Sequence, residues 1–140
     1  MIQEFLMLAD RAEAANGKIF IHGGGVDRHL VNPRANPPYQ LNADVAFGIL
    51  TDWTETNTDH VFALKILNED GHQAWGMEAQ FQVGRPPGAK AGQQFRQLIA
   101  VRGPIPMPAR GAFKLVLEID GKEQEPPFRF WIDAAPVPQQ

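Results

Sequence analysis

The sequence predicts an all-β fold, a two-sheet antiparallel sandwich of the immunoglobulin-like kind built from about eight strands. Three observations carry this reading. Apolar side chains recur at every second position along most of the chain, and turn-forming pairs separate the runs. No stretch of a dozen residues shows a capped 3.6-residue period. Short strands spaced by turns bury their apolar faces by closing into two packed layers.

The elements follow in chain order. Residues 2–11 form the first expected strand. Leu8 to Ala15 has the Ala and Glu content of a helical turn, but strand or irregular chain is expected there. Asn16-Gly17 is a two-residue hairpin signal, because both central positions of a type I′ turn need φ > 0. It leads into a strand at 18–24. A long loop over 25–41 carries Pro33 and Pro37-Pro38. The strand at 42–52 alternates through Ala43, Val45, Phe47 and Ile49, and that at 60–68 through Phe62, Leu64 and Ile66.

Asn68-Glu69-Asp70-Gly71 reads as a tight turn. Beyond it, 74–84 has the cleanest alternation: Trp75, Met77, Ala79, Phe81 and Val83 are separated by Gly76, Glu78, Gln80 and Gln82. A strand at 94–102 lies between loops marked by Pro86-Pro87 and by Pro104, Pro106 and Pro108, since proline cannot donate to a ladder. Phe113, Leu115, Leu117 and Ile119 define 111–119, Asp120-Gly121 turns the chain, and a last strand runs from 128 to 133 after Pro126-Pro127. One domain over 1–133 with a flexible tail at 134–140 is the expected organisation.

Composition narrows the chemistry. The chain of 140 residues is long enough to bury a core without staples. Its net charge of −3 gives no general attraction to phosphate backbones, so no nucleic-acid partner is expected. No segment approaches the length of a membrane span, and the amino terminus lacks the pattern of a signal peptide, so no membrane association and a cytoplasmic location are expected. Cysteine and serine are both absent, which removes disulfides, thiolate catalysis, cysteine-bound zinc and every serine nucleophile.

If each strand spans the sandwich, successive loops alternate between its two ends. The 25–41 loop, the 68–73 turn and the 103–110 loop then share one end. The 12–17 turn, the 53–59 loop, the 85–93 loop and the 120–127 turn share the other. Long loops on a rigid sheet are where binding concentrates, so the candidate site falls on the 25–41 end. Its residues are Asp27, Arg28, His29, Tyr39 and His72.

Each chemical motif has a plainer alternative. His22-Gly23-Gly24-Gly25 resembles an esterase oxyanion string, yet that string serves a serine nucleophile; the glycines are better read as a bend or a close backbone approach. His29 and His72 could meet with Asp27 or Asp70 to hold a metal, although no histidine pair has i, i+2 or i, i+4 spacing. Asn68, Glu69 and Asp70 are too short a set for an EF-hand. Asp52, Glu55 and Asp59 are more simply loop acids facing water. Trp53 is read as closing one end of the core, and no metal or cofactor is assigned.

Several strings occur together in order: Leu8-Ala9-Asp10, Asn16-Gly17-Lys18, Gly23-Gly24-Gly25, Trp53-Thr54-Glu55-Thr56-Asn57, Glu69-Asp70-Gly71 and Leu117-Glu118-Ile119-Asp120-Gly121. On these, roughly residues 3–132 resemble a bacterial family of small proteins known only as a domain of unknown function. The resemblance implies a stand-alone β-sandwich and supplies no catalytic residues. Val26 departs from the aromatic residue usual near that position in the family.

The functional expectation is a non-enzymatic binding or assembly module, taking a protein partner or associating with itself, a homodimer being one such form. The alternative is a ligand site at the 25–41 loop end, for a metal or carbohydrate, with hydrolytic activity as its further option.

Overall fold

The computed structural model describes residues 1–136. Among them are twelve strands: β1 (Ile2–Ala15), β2 (Lys18–Gly24), β3 (Arg28–Val31), β4 (Tyr39–Leu41), β5 (Asp44–Thr51), β6 (His60–Asn68), β7 (Gln73–Phe81), β8 (Phe95–Val101), β9 (Ile105–Met107), β10 (Gly111–Ile119), β11 (Lys122–Glu123) and β12 (Phe128–Ala134). A 3-10 turn, Trp53–Glu55, interrupts them. The fold is all-β. One sheet has the order β2-β1-β5-β8 and the other β3-β12-β10-β6-β7, with β11 on β10; β4 and β9 form a third, two-stranded piece.

The alternating residues of the sequence supply the core. Leu8, Val45, Phe47 and Ile49 from the first sheet face Phe62, Leu64, Ile66, Phe113, Leu115, Leu117, Phe130 and Ile132 from the second. Phe47 and Phe62 meet edge to face across this layer, with centroids 5.1 Å apart. Burying such side chains contributes about 1.5–3 kcal/mol each before entropy is counted. The outer face of β5 is also covered. Ala46 is fully buried, and the Phe5 ring lies over Gly48, where an added Cβ would come 2.6 Å from the ring.

Four strands, β3, β4, β9 and β11, exceed the expected eight, and β1 is longer than expected. β1 extends to Ala15 because Asn16 (φ 54°) and Gly17 (φ 71°) make the tight hairpin turn, so pairing with β2 continues to Lys18. Cross-strand hydrogen bonds override the helical propensity of the alanines there. β9 contains Pro106, yet Ile105 and Met107 on either side are buried; the alternation survives in a short two-stranded piece where a missing donor costs little. β4, its partner, lies in the stretch read as loop.

β3 is an exception to the antiparallel pairing expected of the sheets. It runs parallel to β12, with Arg28 beside Trp131 and Val31 beside Ala134. The chain leaves β2 through Gly23 and Gly25, both at positive φ, and crosses to the second sheet. Glycine and proline punctuation conceals the strand beyond. Ala134, assigned to the tail, belongs to β12, and the Ala135 N–H donates to the Val31 carbonyl at 2.8 Å. Tail residues 137–140 lie outside the described residues.

Candidate functional site

Three loops converge at one end of the sandwich. Tyr39 and Leu41 of β4 pair with Met107 and Ile105 of β9, joining the 25–41 and 103–110 segments. Asn68 to Asp70 line a shared depression with Pro108 to Arg110. At the opposite end, Arg85 contacts the 53–56 segment and His60 contacts Asp120. The 12–17 turn lies beside residues 96–98 of β8.

The predicted site residues are only partly brought together. The Asp27 carbonyl accepts the Trp131 N–H at 2.7 Å. Arg28 is exposed and its Nε donates to Asp133 Oδ2 at 3.0 Å. His29 turns inward on the same strand, with its ring edge-on to Phe130 at 6.0 Å. Its Nε2 is buried without a hydrogen-bond partner among the described residues. Burial holds the His29 pKa below the ordinary imidazole value; the Val26 carbonyl and the charges of Asp10 and Asp27 oppose this without reversing it. Neutral imidazole is the favoured form.

Tyr39 sits apart on β4, and His72 lies in the turn between β6 and β7, where its N–H donates to Asn68 Oδ1 at 2.9 Å. β3 and β7 are opposite edges of the large sheet. At about 4.8 Å per strand spacing, three intervening strands separate His29 from the β6–β7 edge by well over 10 Å. His29 and His72 therefore share no metal position. Among the described residues, no group of three or more His, Cys, Asp or Glu is placed to hold a metal ion.

The glycine string has a packing role. A Cβ on Gly23 would fall 2.2 Å from Asp10 Oδ2, and the Gly25 N–H donates to the Leu8 carbonyl at 2.9 Å. The strings Leu8-Ala9-Asp10 and Gly23-Gly24-Gly25 thus meet in space.

The densest polar cluster lies at the end that sequence reasoning passed over. His60 Nδ1 is 2.7 Å from Asp120 Oδ2, and Nε2 is 2.7 Å from the Glu55 carbonyl. Asp120 and the Glu55 carbonyl both accept, an arrangement that favours the doubly protonated ring, with the Thr58 hydroxyl also 3.0 Å from Nε2. Burial lowers the His60 pKa, but the Asp120 hydrogen bond, the Glu55 carbonyl and two carboxylate charges outweigh it, and the net direction is upward. With both nitrogens engaged, His60 has no free nitrogen for general-base work. The Arg85 guanidinium lies 3.6 Å over the Trp53 ring, and its Nε donates to Thr56 Oγ1 at 2.6 Å. The Trp53–Asn57 string and Asp120-Gly121, distant in sequence, bound this cluster, but nothing in the linear order points to His60 as its hub.

A third feature is the outer face of the large sheet along β10, β12 and β3. Trp131 is 44% exposed and Leu30 53%, on strands paired side by side. β3 is the last strand of its sheet. Asp27 and Val31 carbonyls bond to β12, so by ladder alternation the backbone groups of Arg28 and Leu30 face outward. Lys114 and Arg129 stand opposite each other on the same face. Periodicity alone cannot say whether the face that carries Trp131 is covered.

Among the described residues, no helix is long and apolar enough to cross a membrane. A search of curated proteins finds no match to the chain. Residues 4–129 match the sequence model of a family of unknown function, DUF6941, which spans most of the chain. The strings that carry the resemblance lie largely within that span, and the chain belongs to the DUF6941 family.

Proposed function

We propose that this chain is a non-enzymatic binding or assembly module of the bacterial cytoplasm, engaging another protein through the flank formed by β12 and β3. The observation that carries the reading is the pair of large apolar side chains, Trp131 on β12 and Leu30 on the edge strand β3, both exposed on adjoining strands and offset diagonally in register. Exposed tryptophan beside unpaired backbone groups is costly to leave bare, because it invites association. Tryptophan is also enriched among the residues that dominate binding energy at interfaces.

Enzymatic readings have less support. The chain has no serine or cysteine nucleophile, and His60 is held by acceptors on both nitrogens. The loop-end alternative, a metal or carbohydrate site on the 25–41 segment, is weakened by the separation of His29 from His72 across the large sheet.

Proximity labelling in the native host, followed by reconstitution from purified components, tests the proposal. An identified protein, or a second copy of this chain, should form a stable complex that Trp131→Ala with Leu30→Asn weakens by about tenfold or more. Circular dichroism should show the variant folded. A complex indifferent to both substitutions, or a strict monomer with no reconstituted partner, would overturn it.

A further inference from the structure

Two cross-strand ion pairs lie on the outer face of the large sheet. Lys65 Nζ lies 2.6 Å from Glu118 Oε2, and Arg28 Nε lies 3.0 Å from Asp133 Oδ2. Glu118 and Glu123 are also directly opposed charges of one sign, but Lys65 neutralises Glu118; Lys114 and Arg129 have no such partner. They face each other directly in the antiparallel β10–β12 ladder, with side chains on the same outer face. Directly opposed residues have Cβ atoms about 4.5–5.5 Å apart, and like charges there destabilise the pair. Among the described residues, no carboxylate is in ion-pair range of either cation.

Both side chains line an open depression with Asn68, Glu69 and Ala112. Ala112 stands opposite Trp131, so the depression adjoins the exposed tryptophan. These opposed cations stand beside an apolar side chain that solvent still reaches. Departures from local charge pairing are expected at functional or strained sites.

We propose that this face docks an acidic segment of a partner protein, whose carboxylates are received by Lys114 and Arg129 and whose apolar side chain packs on Trp131 and Leu30. The proposal rests on the binding reading above and adds the chemistry of the partner. Complementary charge at an interface suppresses wrong partners and speeds encounter. A long polyanion such as nucleic acid fits less well. The chain's net charge of −3 repels it.

The test uses the full chain, isotopically labelled and titrated with three probes: a capped peptide alternating glutamate and leucine, its lysine counterpart, and a short oligothymidylate. The acidic peptide should shift the amides of residues 112–116 and 129–133. Lys114→Glu with Arg129→Glu should weaken that binding about tenfold or more, and added salt should weaken it in the wild type. The free Lys114→Glu variant should melt above the wild type, because the opposed like charges are gone. Lys114→Gln and Arg129→Gln serve if the reversals fail to fold.

Unmoved amides with the acidic peptide, or equal shifts with oligothymidylate or the lysine peptide, would overturn the proposal. A reconstituted partner lost on Trp131→Ala but retained on Lys114→Glu would overturn the acidic chemistry while leaving the binding reading standing.

Discussion

His60 Nδ1 lies 2.7 Å from Asp120 Oδ2, sixty positions along the chain, and ties the start of β6 to the turn after β10. The same Asp120 accepts the Val61 N–H at 2.9 Å through its other oxygen. Burial raises the Asp120 pKa, but the Val61 N–H and the His60 imidazolium outweigh it and hold the carboxyl below its ordinary range. The pair is an ionic clasp with opposite shifts on its two members.

Those shifts give a pH window. The folded His60 pKa is raised, so its contribution is complete below the ordinary histidine value near 6.5 and fades as pH climbs through the folded value. The Asp120 contribution is complete above the ordinary aspartate range and fades as pH falls through its depressed folded value. Thermal unfolding of wild type and His60→Ala at pH 5.5 and pH 8.5 should show a larger deficit at the lower pH. An NMR titration should place the His60 pKa above that of an unfolded control. Equal deficits at both pH values, or an unshifted titration, would refute the clasp.

Asp44 is a second carboxylate used as a fastener. It is 7% exposed, its Oδ2 accepts the Ala12 N–H and its Oδ1 the Gly103 N–H, both at 2.9 Å. Asp44→Ala leaves two N–H groups without their acceptor, at about 1–3 kcal/mol each where water cannot enter. Asp44→Asn keeps one acceptor oxygen and should cost less. Urea denaturation of both variants checks the order; Asn as damaging as Ala would count against the two-bond account.

Gly103 is fixed by space. A Cβ there would fall 2.1 Å from the Ala43 carbonyl oxygen, and that carbonyl belongs to backbone that cannot swing aside. Gly103→Ala should destabilise by roughly 1–3 kcal/mol. A methyl group added at Gly84 would have nothing within 4 Å, and the residue has no positive φ, so Gly84→Ala should be near neutral or slightly stabilising. Thermal melts of the two variants give the comparison; similar losses from both would remove the steric explanation.

Arg85 holds the 53–56 segment through geometry as well as charge. Its guanidinium covers Trp53, Nε donates to Thr56 Oγ1, and Nη2 donates to the Trp53 carbonyl at 3.1 Å. Lysine has no planar fork to make these contacts together. Arg85→Lys should cost about 1–2 kcal/mol and speed amide exchange at Thr56 and Asn57. Unchanged exchange at both amides would show that the segment is held by other contacts.

Much of the sandwich was legible in the sequence because pleat and turn chemistry are local. The run Trp75-Gly76-Met77-Glu78-Ala79 declares a strand through its alternation, and Asn16-Gly17 declares its hairpin through the φ values the turn demands. β3 and β9 stayed hidden because each has only three or four residues, flanked by glycine or proline. Short strands like these exist through their partners. Ile105 and Met107 lie in a ladder because Tyr39 to Leu41 pass beside them, and no local signal encodes that passage.

The candidate surfaces divide in the same way. Sequence order placed Asp27, Arg28 and His29 together, and the structure keeps them adjacent on or beside β3. It could not keep His72 with them, because strand order decides which edge a turn occupies. Nor could it pair His60 with Asp120 or set Lys114 against Arg129, which depend on the register of β10 with β6 and β12. By itself, the sequence determined the all-β class, the faces of the main strands and the absence of serine and cysteine chemistry, since these follow from side-chain alternation and composition. Tertiary structure alone decided which apolar residues remain uncovered, which charges find partners and which histidine has its pKa raised. Each of those depends on distances between segments far apart in the chain, and alternation along one strand carries no information about its neighbour.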